Sequence, residues 1–166
     1  MKPQCLILLL LFILTNCNKL KDTCVREDFC CEVNGKKWWP SKNGDFKAKD
    51  LQVLMDSDGK YLSISAYNST SSVLIGIKDT TSLIQVGLYN LTGQLPGRAS
   101  YSSGAGPGNL YETDSLHTGI VTITQLDRNK SINIVAGTFS FKAQHPATGA
   151  VVDVAKGTFR TEYIRY

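Results

Sequence analysis

The sequence is poor in the residues that most often carry chemistry. Its 166 residues include two histidines, four glutamates and two tryptophans, and charged side chains make up only 19%. His117 and His145 stand far apart with no paired ligand spacing, which leaves no recognisable zinc set. No acid–base or nucleophile motif is evident, so neither a catalytic residue nor a cofactor is assigned. Charge of one sign is also scarce: 18 Lys+Arg against 14 Asp+Glu give +4, scattered along the chain. That excludes the concentrated basic stripe by which proteins hold nucleic acid. The longest apolar run, Leu6 to Leu14, has nine residues, whereas a helix needs about 20 to span a bilayer. No window carries a sustained helical stripe. With 42% apolar residues the chain is neither disordered nor a multi-span membrane protein, and one domain is the natural count.

At the N-terminus, Lys2, the apolar run and then polar residues have the layout of a secretory signal. The segment Leu14-Thr15-Asn16-Cys17 resembles the lipobox of bacterial lipoproteins, with Leu three residues before the Cys. This resemblance implies that residues 1–16 are removed and that Cys17 becomes a lipid-bearing N-terminus. At about 0.8 kcal/mol per buried methylene, two or more acyl chains make a stable anchor where one does not. The alternatives are an ordinary signal peptide cut nearby and a short uncleaved anchor. Removing Lys2 with the signal leaves 17 basic and 14 acidic residues, a mature charge of +3. Residues 17–28, polar beyond Cys17, form a tether, and residues 29–166 form one domain.

Once Cys5 is discarded and Cys17 is lipidated, Cys24, Cys30 and Cys31 remain, an odd number within eight residues. In an exported protein Cys24 can pair with Cys30 or with Cys31, and spacing does not choose between them.

Beyond Phe29 the period is two. Apolar residues alternate at Leu51, Val53, Met55; at Leu62, Ile64, Ala66; at Val73, Ile75, Ile77; and at Ile84, Val86, Leu88. Each set puts one face of a strand on a core. Asn34-Gly35, Asp56-Ser57-Asp58-Gly59, Asp127 to Lys130 and His145 to Gly149 are turn signals between strand-like runs. The last third reads as a three-strand meander. Within it the apolar parity switches from Ile132 and Ile134 to Phe139 and Phe141, and again from Val152 and Val154 to Phe159. A bulge near Gly137 and another near Gly157 would keep both sets buried. The longest stretch without a pattern is Thr92 to Asn109. Eight to ten short antiparallel strands predict an all-β domain, a β-sandwich or a barrel-like meander.

Cys31-x-Val33-Asn34-Gly35-Lys36 with Trp38 and Pro40, then Thr118-Gly119-Ile120-Val121-x-Ile123, Gly137-Thr138-Phe139-x-Phe141 and Gly157-x-Phe159, carry a likeness. They resemble a group of uncharacterised lipoprotein domains from Bacteroidota. The resemblance implies a secreted all-β domain on a lipid anchor, with no established activity.

Four aromatic residues are candidates for a flat ligand platform. Trp38 and Trp39 are adjacent, so a strand would point one inward and one outward, where it could join Tyr61 or Tyr67 against a glycan or a protein. Asp79-Thr80-Thr81 and Asp114-Ser115-Leu116 resemble the O-glycosylation triplet of Bacteroidota, which makes Thr80 and Ser115 candidate modification sites. Asp56 to Gly59 lacks the further acidic ligands of a calcium loop and reads as a hairpin turn. The resulting expectation is a monomeric, lipid-anchored protein on the periplasmic or surface face of the outer membrane, a binding or structural module rather than an enzyme. A secreted hydrolase assembled from the 92–116 loop with Asp114, His117 or His145 is the alternative, and a small-ligand carrier is a third reading.

Overall fold

The computed structural model describes residues 28–41, 50–104, 107–128 and 132–166. Twelve strands follow one another: β1 (Phe29–Val33), β2 (Lys36–Trp38), β3 (Leu51–Met55), β4 (Tyr61–Tyr67), β5 (Ser72–Lys78), β6 (Gly87–Leu91), β7 (Gly97–Ser102), β8 (Leu110–Glu112), β9 (Gly119–Leu126), β10 (Ile134–Gln144), β11 (Val151–Glu162) and β12 (Ile164–Arg165). The protein is all-β, as the alternation predicts. A single 3-10 turn at Pro107–Asn109 is the sole helical element among the described residues. The surplus over eight to ten strands comes from β2, β8 and β12, which have two or three residues each and are too short to show alternation.

The strands form one sheet in the order β12-β3-β4-β5-β7-β8-β10-β11-β1-β2, with β9 paired to β10 and β6 to β9. Short connections make neighbours antiparallel; among the described residues β12 on β3 is the one parallel pair. Because the chain passes from β11 to β12 across Tyr163 alone, the two distant parts of the sheet are tied together and the sheet curls into a barrel-like body. One face is thereby buried. Val53, Met55, Leu62, Ile64, Val73, Ile75 and Ile77 all point into a common core with Phe29, Phe139 and Phe159.

The turns follow their residue chemistry. Asn34 and Gly35 both have positive φ, 49° and 75°, as a two-residue hairpin turn requires. At the β3–β4 turn the Asp56 carboxylate accepts the N–H groups of Lys60 and Tyr61 at 2.7 and 2.9 Å, so this oxygen closes a hairpin. The β9-β10-β11 meander is present. On β11 two residues oppose one on each neighbour, Ala155 and Lys156 across from Ser140 and Lys156 and Gly157 across from Cys31, with Lys156 at φ 52°. This bulge turns Val152, Val154 and Phe159 to the same core. The repeated Gly-Thr-Phe pairs with itself across the two strands: Gly137 faces Phe159, Thr138 faces Thr158 and Phe139 faces Gly157. Each ring lies over the other strand's glycine, where a Cβ would come within 2.7 Å of Phe159 or 2.5 Å of Phe139.

Three expectations are corrected. Ile84 is buried, but Val86 and Leu88 are exposed, because β6 begins only at Gly87 and turns Leu91 inward instead. Ile132 is exposed and Ile134 only partly covered, since Val135 starts the buried set of β10; the bulge there sits on β9, where Thr124 is the extra residue opposite Ala136 and Gly137. The Thr92–Asn109 stretch contains β7, whose inward residues include Gly97 and Ala99, too small to register as an apolar alternation.

Candidate functional site

The outer face of β4, β5, β7 and β8 carries a depression of about 280 Å³. Strand register builds it. Ser63, Gly76 and Arg98 lie side by side in one row, and Leu74, Ser100 and Glu112 in the next. These positions are the alternates of the core residues, so the pattern that buries Leu62, Ile75 and Ala99 turns them outward. Gly76 forms the floor. A Cβ there would stand 3.1 Å from the Tyr61 hydroxyl and 3.7 Å from Arg98 Cγ and Nε, so a larger residue would push up the tyrosine and arginine that roof it. Arg98 and Glu112 are diagonal neighbours within reach of each other, yet neither makes an ion pair among the described residues. A free cation, a free carboxylate, two serine hydroxyls and a phenol therefore share one open surface. Such a set can exchange hydrogen bonds with a polar ligand.

The four aromatic candidates separate. Trp38 is 7% exposed and belongs to the core, edge-on to Phe29 at 5.8 Å, with its indole N–H donating to Ser71 Oγ at 2.7 Å. Trp39 and Tyr67 are exposed, and the backbone N–H of Ser41 donates to Tyr67 O at 3.1 Å, which sets the chain after Trp39 beside the end of β4. Tyr61 lies at the other end of that strand, roughly 20 Å away at about 3.3 Å per residue. Only Tyr61 joins the depression. Arg98, Glu112, Ser63 and Ser100 escape sequence reading because they come from separate hairpins; their shared outward parity was the available signal.

Asp114 and His117 form a local pair between β8 and β9. His117 Nδ1 lies 3.1 and 3.0 Å from the two carboxylate oxygens, and Asp114 Oδ1 accepts the N–H groups of Leu116 and His117, each at 2.7 Å. The His117 side chain, followed by the two backbone amides, holds the Asp114 carboxyl below its ordinary range. His145 is engaged elsewhere: its Nε2 donates to Gly108 O at 2.7 Å, Nδ1 accepts from Ala147 and Thr148, and the ring sits edge-on to Tyr111. Among the described residues no hydroxyl or thiol hydrogen-bonds either imidazole, and the Asp114–His117 contacts close the β8–β9 loop on itself.

Asp79 repeats the geometry of Asp114. Its Oδ1 accepts the N–H groups of Thr81 and Ser82 at 2.9 and 2.8 Å, and these bonds, with the Thr81 hydroxyl, lower its pKa. In both turns the middle residue, Thr80 or Ser115, is exposed.

Cys30 is disulfide-bonded and Cys31 is a buried free thiol. Burial, with a smaller contribution from the Glu32 charge, pushes the Cys31 pKa up to about 12. Cys17 and Cys24 lie outside the described residues. Among the described residues no group of three His, Cys, Asp or Glu side chains gathers as a metal site would require.

The model of one protein family, described as a domain of unknown function (DUF6252), matches residues 41–161, and the chain belongs to that family. The match contains the Thr118–Ile123, Gly137–Phe141 and Gly157–Phe159 motifs and the whole depression, whereas Cys31 to Pro40 precede it. No curated protein and no solved structure matches the chain.

Proposed function

Starting from membership of a family without an assigned activity, we propose that this protein is a lipid-anchored module of the bacterial cell envelope that binds a glycan in the depression of β4, β5, β7 and β8. The glycan reading rests on one observation: Tyr61 and Arg98 roof the side-chain-free Gly76 while Arg98 and Glu112 stay unpaired within the same surface. A sugar hydroxyl both donates and accepts, so it can answer a guanidinium and a carboxylate together, and the Tyr61 ring adds an apolar face.

The anchor rests on Leu14-Thr15-Asn16-Cys17 behind the apolar run. In this reading residues 1–16 are removed, Cys17 is acylated, and residues 17–28 space the β body from the outer membrane, as in Bacteroidota lipoproteins. The cysteine count agrees. With Cys31 free, Cys5 discarded and Cys17 acylated, Cys24 is the partner left for Cys30. Thr80 and Ser115, presented by matching turns, are the proposed O-glycosylation sites; loss of a glycan mass from Thr80→Ala and Ser115→Ala variants expressed in the native host tests them.

Two experiments test the main reading separately. Labelling cells with an alkynyl fatty acid should mark the wild type and leave Cys17→Ala unlabelled; persistent labelling of the variant removes the anchor. Saturation-transfer NMR with envelope polysaccharide fragments should show contact that Tyr61→Ala and Glu112→Gln each weaken at least tenfold. Unchanged contact in both variants refutes the depression as the site.

A further inference from the structure

A different anomaly lies at one end of the barrel. After β5 the chain crosses that end, and Ile84 is fully buried with its N–H donating to Gly59 O at 2.8 Å. The flanking Leu83 and Val86 remain exposed. Together with Gln85, Leu126 and Arg128 they line a depression of about 410 Å³. The Arg128 guanidinium is seated against the β3–β4 turn, where a Cβ on Gly59 would stand 3.3 Å from Nη1 and 3.4 Å from Leu83 Cδ2. Its other nitrogen, Nη2, is buried without any hydrogen-bond partner, and among the described residues no other buried side-chain nitrogen or oxygen is left in that state.

A guanidinium stays charged at every physiological pH and offers five N–H donors. Leaving one of them buried and unanswered is costly, and native structures rarely do so without a ligand, water or ion to fill the position. No carboxylate of the chain forms an ion pair with Arg128 among the described residues. The nearby Asp127 has its Oδ2 taken by Gln125 Nε2 at 2.6 Å, and Asp56 Oδ1 closes its own turn. Among the described residues no acceptor answers Nη2, and the depression that Arg128 lines is mostly apolar. The Arg128 side chain is only partly buried and lines the depression beside the exposed Leu83.

We propose that this end of the barrel binds a carboxylate carrying an apolar chain, the carboxylate meeting the Arg128 guanidinium and the chain lying along Leu83, Val86 and Leu126. A carboxylate accepts two parallel N–H bonds from one guanidinium, which neither water nor an alcohol does. The source is a free fatty acid; an apolar C-terminal residue of a peptide presents the same chemistry, and the two are separated by the probes below.

The test is calorimetric titration of the full chain with decanoate, decanol, acetate and N-acetyl-leucyl-leucine. Decanoate should bind at least tenfold more tightly than decanol or acetate, and Arg128→Gln should reduce it to the decanol level. Val86→Ser should weaken decanoate and decanol alike, which keeps the test informative if Arg128→Gln fails to fold. Tyr61→Ala should leave decanoate binding unchanged, so failure here and failure of the glycan reading are distinct. Preference for the dipeptide over decanoate would overturn the fatty-acid source. Equal binding of decanoate and decanol, full binding by Arg128→Gln, or no binding at all would overturn the proposal.

Discussion

The self-paired Gly-Thr-Phe repeat makes a prediction whose sign changes with its neighbour. In Gly157→Ala the new Cβ would stand 2.5 Å from Cε1, Cε2 and Cζ of Phe139. The ring cannot swing aside: Phe139 is 4% exposed, with the rings of Phe29, Phe159 and Phe141 centred 5.1, 6.3 and 6.5 Å away. Overpacking of this kind costs about 1–3 kcal/mol. The φ of Gly157 is not in the left-handed region, so alanine also restricts the unfolded chain and returns about 0.4–1 kcal/mol. The net expectation is a loss of about 1–2 kcal/mol, about 3 °C in Tm for each kcal/mol in a domain of this size. Phe139→Leu lacks the three clashing ring atoms. In that background Gly157→Ala should be neutral or stabilising, a coupling of about 2 kcal/mol in a double-mutant cycle measured by urea unfolding. An equal loss in both backgrounds would refute the argument that the ring requires the glycine.

Two further predictions concern titration. Because burial raises the Cys31 pKa from 9.0 to about 12, the thiol's contribution to stability is complete below pH 9 and is lost as pH rises toward 12. Wild-type stability should therefore fall more steeply than that of Cys31→Ala across that window, and peptide-mapped alkylation at pH 8 should reach Cys31 only after urea unfolding. For Asp114 the shift is downward, so its contribution is complete above the ordinary 3.8 and is lost as pH falls through the lower folded value. A carboxyl carbon NMR titration should place its midpoint below 3.8, and His117→Ala should move it upward.

Legibility in the sequence followed the range of the interaction. The alternation of Leu62, Ile64 and Ala66 needs only its own strand, and Asn34-Gly35 needs only its own turn, so both were readable. The β11 bulge was also readable, because Val154 and Phe159 differ in parity within a few residues. Ile84, Val86 and Leu88 misled the same test, since the chain reaches the core at Ile84 by capping the barrel end and enters the sheet only three residues later. The Asp114–His117 contact joins residues only three apart, yet neither alternation nor turn signals pair them, because the contact depends on how the β8–β9 loop folds back.

The sequence alone determined the two-residue period, the turns between strands and therefore the all-β class, because side-chain alternation and turn chemistry act between residues close along the chain. The tertiary structure decided which of Trp38 and Trp39 is buried, that Cys31 rather than Cys30 stays free, that Arg98 and Glu112 share a surface with Tyr61, and that Arg128 is left with an unanswered donor. Each of those depends on strand order and register across segments tens of residues apart, and no local periodicity encodes which strand will lie beside which.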